Sequence, residues 1–161
     1  MQVRLLTAAL VVVAIARSVS AFADVPPVLL VENQAKGISL RLHRDALEAL
    51  PETAGLITSS PWQIEAAQFR GVYLEHVLKL AEINTGSDVN LYALNDYRVQ
   101  LPSDLRNKAF LAWAISDEYL QPEDKGYFWI IFDFDSMSKA ETKAIQSYSI
   151  WQLYRIESPR E

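Results

Sequence analysis

The chain of 161 residues has no cysteine, and its histidines are limited to His43 and His76. Disulfides, thiolate nucleophiles, iron–sulfur clusters and thiolate-held metals are therefore excluded, and so is a multi-histidine metal site. Glycine and proline are scarce, at 5 and 7 residues, which rules out a collagen-like or low-complexity chain. Positive charge is in deficit: 15 basic residues face 20 acidic ones, for a net charge of −5. That balance disfavours nucleic acid and anionic membrane surfaces as partners. Beyond the first two dozen positions no apolar run exceeds strand length, Phe128 to Phe132 being typical, so nothing there reads as a membrane span. What is present is half hydrophobic and 22% charged, the composition of an ordinary globule.

Residues 1–23 carry Arg4, an apolar run from Leu5 to Ala16, and an Ala21-Phe22-Ala23 ending suited to signal peptidase. A membrane anchor would need about 20 apolar residues, and Arg17 interrupts this run too early. The expectation is a signal peptide cleaved after Ala23 and a mature chain, residues 24–161, outside the cytoplasm. Loss of Arg4 and Arg17 changes the net charge from −5 to −7. A remainder of this length fits one domain with a core of its own.

Short strands dominate the mature chain. Val28 to Val31 reads as a strand, Gly37 as a turn, and Ile38, Leu40 and Leu42 alternate with polar residues as in a half-buried strand. His43 to Leu50 has helical spacing and stops at Pro51. Leu56 to Ser59 reads as a strand before a break at Ser60-Pro61-Trp62. Leu74, Val77, Leu78 and Ala81 then form the clearest helical stripe in the chain. Val89 to Ala93 and Tyr97 to Leu101 predict a hairpin with a two-residue Asn95-Asp96 turn. Pro102 to Lys108 predicts a loop or single helical turn, followed by a strand at Phe110 to Ile115 and a polar connection, Asp117 to Gly126. Tyr127 to Phe134 is apolar throughout except at Asp133 and predicts a central strand covered on both faces. A helix over Lys139 to Gln146 and a strand over Ser149 to Ile156 complete a mixed α+β domain with about three short helices.

Motifs for hydrolases, phosphate loops and zinc proteases are absent. Neither histidine has an adjacent nucleophile, and the acidic residues Asp117, Glu118, Asp133 and Asp135 match no ordered calcium spacing. Of four tryptophans, Trp113, Trp129 and Trp151 fall in predicted strands, where core packing is the default; Trp62 follows Pro61 in a break and is least explained by packing. Asn95 and Asp96 suit a hairpin tip on conformational grounds and need no ligand to explain them.

The segments Thr58-Ser59-Ser60-Pro61-Trp62, Phe69-Arg70-Gly71-Val72-Tyr73-Leu74, Ala93-Leu94-Asn95-Asp96-Tyr97, Leu101-Pro102, Asp124-Lys125-Gly126 with Trp129-Ile130-Ile131, and Ile150-Trp151-Gln152-Leu153 follow one another in order. Together they resemble the oxidoreductase molybdopterin-binding domain, the sulfite-oxidase fold, over nearly all of residues 24–161. The nearest resemblance is to short, exported, cysteine-less members of the periplasmic pterin-binding type, which work with membrane-bound cyclic-di-GMP signalling enzymes. The resemblance implies a single-domain mixed β-sheet of barrel-like form.

It also implies a ligand, a neopterin- or monapterin-like pterin. Trp62 would stack on the bicyclic ring, Asp96 would accept from its 2-amino and ring N–H groups, and Asn95 would meet the 4-oxo edge. Tyr97, Arg70 and Lys125 would frame the pocket or contact a polyol tail. The metal-holding cysteine of the molybdenum enzymes falls near Thr58 to Ser60 and is absent, so molybdenum redox catalysis does not carry over. The family's Lys-Gly-Pro is Lys125-Gly126-Tyr127 here, and Asp133 replaces a later proline. The expected protein is a non-catalytic pterin binder without a metal, reporting occupancy to the periplasmic domain of a transmembrane signalling protein and inserting in no membrane itself. The competing readings are an exported molybdopterin-dependent oxidoreductase subunit and a structural adaptor with a vestigial pocket.

Overall fold

Alternation of buried and exposed side chains sets most of the strands. In a computed structural model, which describes residues 27–160 apart from Asp124, β1 (Val28–Asn33) buries Leu29, Val31 and Asn33, and β2 (Ile38–His43) presents Ile38, Leu40 and Leu42 to the core. The proposed leader lies outside the described residues. Helix α1 (Arg44–Glu48) follows, then β3 (Ala54–Ser60), β4 (Gln63–Tyr73) and α2 (Leu74–Leu80). The hairpin is β5 (Val89–Ala93) and β6 (Arg98–Leu101). Then come β7 (Phe110–Ile115), β8 (Glu118–Tyr119), β9 (Trp129–Ile131), α3 (Lys139–Ile145) and β10 (Leu153–Ser158). The fold is mixed α+β with three short α-helices among the described residues, in keeping with the sequence.

Among the described residues the strands form two sheets and no closed barrel, which corrects the barrel-like expectation. One sheet runs β2-β1-β10-β5-β6, with β1 and β10 parallel and the other neighbours antiparallel. The other is antiparallel: β3, β4 and β7 in order, with β8 and β9 both on the far edge of β7. One apolar cluster draws on both sheets, through Leu29, Leu91 and Ile156 on one side and Phe69, Phe110 and Trp129 on the other.

Helix α2 buries Leu74, Val77 and Leu78, the stripe expected for it. Just past its end, the Asn33 carboxamide donates to Ala81 O at 3.0 Å and to Glu82 O at 2.9 Å, tying β1 to the helix terminus. Arg106, fully buried just after a 3₁₀ turn at Ser103–Leu105, reaches back to the same helix. Its Nε lies 3.0 Å from Glu75 Oε1, an ion-pair contact too bent to be a hydrogen bond, and its Nη2 donates to Glu75 Oε2 at 3.3 Å.

Four expectations are corrected. The Tyr127 to Phe134 run is a strand only at Trp129–Ile131, and Phe134–Ser136 is a 3₁₀ turn. That run is apolar because it is covered on all sides, and burial alone does not impose an extended backbone. It is not central either: among the described residues β9 ladders only with β7, and its other edge meets a loop, Ile130 N–H donating to Ile150 O at 2.8 Å. The final strand starts at Leu153, so Ser149 to Gln152 is loop, turned by Gln152 at φ 55°. The β5–β6 loop has three residues, not two. Asp96 N–H donates to Ala93 O, Ala93 N–H donates to Tyr97 O, and Asp96 occupies the left-handed region at φ 65°.

Candidate functional site

A cavity of about 180 Å³ opens where the β3–β4 turn, the β5–β6 loop and the segment after α3 converge. Each wall has a local cause. Ser60 pairs with Gln63, so Pro61 and Trp62 form a two-residue turn that puts the indole at the tip of the hairpin, 44% exposed. Asp135 holds that end of β3, taking hydrogen bonds from the Ser59 amide, at 2.8 Å, and from the Ser59 hydroxyl. Those bonds, the hydroxyl's above all, keep the Asp135 carboxyl below its ordinary value. Phe134, immediately before Asp135, meets the Trp62 ring edge-on at 6.4 Å.

Beside it stands Trp151, edge-on to Trp62 with ring centroids 5.4 Å apart. It belongs to the loop that misled the strand assignment. Backbone bonds fix that loop from three directions: Gln152 N–H to Lys125 O at 2.6 Å, Leu94 N–H to Gln152 O at 3.0 Å, and Leu153 N–H to Phe128 O at 3.0 Å. Gly126 is required at this crossing, because its φ is 73° and a Cβ would lie 2.4 Å from the Cα of Gln152. The Lys125 ammonium sits 4.8 Å from the Trp151 ring centroid, within cation–π range.

Asn95, Tyr97, Gln146, Ser147, Ser149 and Ile150 complete the lining. The Asn95 side-chain Oδ1 accepts from Tyr97 N–H at 3.2 Å, and the Tyr97 hydroxyl donates to Ser147 O at 2.7 Å, closing the loop onto the segment after α3. Ser149 donates to Ile130 O at 2.7 Å and is engaged with the sheet. Among the described residues, the lining thus combines two indole rings, a phenol, two carboxamides and hydroxyls, with no carboxylate.

Of the residues singled out from sequence, the fold brings together Trp62, Asn95 and Tyr97 in the lining and Lys125 against Trp151. Asp96 stands exposed beside Asn95 at the loop tip and outside the lining. Arg70 is elsewhere: eight residues along the hairpin from Trp62, roughly 25 Å at the strand rise, it sits among Glu48, Asp117 and Tyr119. Sequence reasoning missed Trp151, Gln146, Ser147, Ser149 and Ile150. The signal available was the polar run Gln146-Ser147-Tyr148-Ser149 directly before an aromatic residue, which argues against a strand beginning at Ser149.

The segment that the resemblance aligns with a metal-holding cysteine carries hydroxyls. Thr58 Oγ1 donates to Ser59 O at 3.0 Å and accepts from Asp135 N–H at 3.3 Å. Such a donor set does not fit a molybdenum centre. No protein-family model matches the chain, and no curated protein matches it.

Proposed function

We propose that the chain is a non-catalytic pterin-binding domain of the periplasmic type, which reports its occupancy to the periplasmic domain of a transmembrane partner in cyclic-di-GMP signalling. The observation that carries this reading is the cavity lined by Trp62 and Trp151, two indoles in edge-to-face contact, together with the Asn95 and Gln146 carboxamides. At about 180 Å³ it is smaller than the ~300–1,000 Å³ of most ligand sites, and its scale suits one flat ring system better than a nucleotide. Indole faces supply stacking, and a carboxamide offers donor and acceptor side by side, the pattern that the pyrimidinone edge of a pterin presents in complement.

A polyol tail would leave through the mouth, past Tyr97 and Lys125. Asp96 belongs to that mouth in this reading, where it would accept from groups projecting out of the cavity. The exocyclic edge falls to the carboxamides inside. The test is titration of the purified protein with neopterin, read by pterin fluorescence. Saturable binding that Trp62→Ala weakens at least tenfold is expected, and unaltered affinity in that variant would refute the site.

A further inference from the structure

We infer that Arg70 anchors a second binding site, for a carboxylate ligand, in a cavity of about 230 Å³ on the outer face of the β3-β4-β7-β8 sheet, with Asp117 as a built-in stand-in for that ligand. The proposal is independent of the pterin reading. In the sheet's register Gly55, Arg70, Ala114 and Tyr119 lie opposite one another across four strands. Neither immediate neighbour of Arg70 carries more than a methyl group, so its guanidinium is free to lie over Tyr119, at 5.2 Å from the ring centroid. Arg44 takes the same ring at 3.7 Å. Two guanidinium groups therefore converge on one tyrosine, and the bare Gly55 leaves the cavity floor open beside Gln68 and Arg70.

These cations are incompletely satisfied. Among the described residues, the Nε atoms of Arg44 and Arg70, and Glu48 Oε1 beside Arg70, are buried without hydrogen-bond partners. The carboxylates nearest Arg70, on Glu48 and Asp117, both stand off at 3.8 Å, beyond hydrogen-bond reach. A guanidinium fork matches a carboxylate through two parallel hydrogen bonds, and neither resident acid supplies them. Asp117 is positioned by a tight turn in which Ser116 and Asp117 both have positive φ, 49° and 67°, a conformation disfavoured for residues other than glycine. Its side chain is 91% exposed, so an incoming carboxylate can displace it into solvent at little cost.

The test follows the backbone amide resonances of Gly55 and Gln68, which line the cavity in the parent and in every variant, by NMR while acetate, or inorganic phosphate in a parallel arm, is added to the protein. A saturable shift with acetate is expected, and Arg70→Lys, which keeps the charge but loses the fork, should abolish the saturation. Asp117→Asn is the deciding variant, because asparagine tolerates positive φ and the fold is retained. Removing the internal competitor should tighten acetate binding about two- to fivefold, the equilibrium worth of an exposed ion pair. Shifts that never saturate, or equal affinity in Asp117→Asn and the parent protein, would overturn the site. A saturable response to phosphate with none to acetate would overturn the carboxylate assignment.

Discussion

Replacing Trp62 by alanine should separate binding from stability, and the structure sets the scale of both effects. With 44% of its surface exposed, Trp62 buries about half of the ~250 Å² that a tryptophan can bury. At ~25 cal/mol per Å² that area is worth at most about 3.5 kcal/mol, and a compact unfolded state lowers it further. Because the ring lies at a cavity mouth, water fills the space it vacates and no empty void adds to the loss. We expect Trp62→Ala to cost about 1.5–2.5 kcal/mol of folding free energy. Trp129 is the matched control: it is fully buried, packed edge-on against Phe69 at 5.3 Å, and its removal should cost about 3–5 kcal/mol. Urea denaturation followed by circular dichroism gives both values, and neopterin titration at a urea-free reference gives the affinities. The expected pattern is large affinity loss with modest destabilisation for Trp62→Ala. Equal destabilisation of the two variants would show Trp62 to be core and would sink the stacking role.

Three other outcomes follow from particular contacts. Arg106→Ala should destabilise by about 3–5 kcal/mol, because it leaves the Glu75 carboxylate and the Asn84 and Ser87 carbonyls without their donor; adding Glu75→Ala should recover part of this loss, and a double-mutant cycle showing no coupling would refute the ion pair. Gly126→Ala should cost more than about 2 kcal/mol and alter Trp151 fluorescence, since both its φ of 73° and the approach to Gln152 resist a Cβ. The Asp135 carboxyl is held below its ordinary value of 3.8 by the Ser59 hydroxyl and then the Ser59 amide. Its contribution is present above that value, where both states are ionised, and is lost as the pH falls through the folded pKa, because the unfolded chain takes up the proton first. Between about pH 5 and pH 3, Asp135→Asn should therefore lose less stability than the parent protein, measured as denaturation midpoints, and parallel losses would refute the clamp on Ser59.

Strong local patterns were readable from the chain alone. The Leu74, Val77, Leu78 stripe could satisfy only a helix packed on one face, and the alternation in Ile38 to Leu42 and Val89 to Ala93 could bury one side only as strands. Strand β4 escaped notice because its inward positions include Ala67 and Gly71, which carry almost no hydrophobic signal. Gly71 is there for a tertiary reason: a Cβ would meet the Leu111 carbonyl oxygen of β7 at 2.0 Å. A close approach of two backbones leaves no trace in periodicity.

The aromatic cavity shows the same division. Trp62, Asn95 and Tyr97 stood out because a break and a hairpin tip are local features, legible from Pro61 and from the turn residues. Trp151 did not, because its position in a loop depends on Gln152 bonding to Lys125 and Leu94, residues far away in sequence. Arg70 was separated from the others by distance along an extended hairpin, which only the β3–β4 register fixes. Local propensity and side-chain period determined which segments became helix or strand. The parallel pairing of β1 with β10, the burial of Arg106 and the gathering of the cavity walls were decided by tertiary structure, because each depends on contacts between distant segments that exist only once the two sheets share a core.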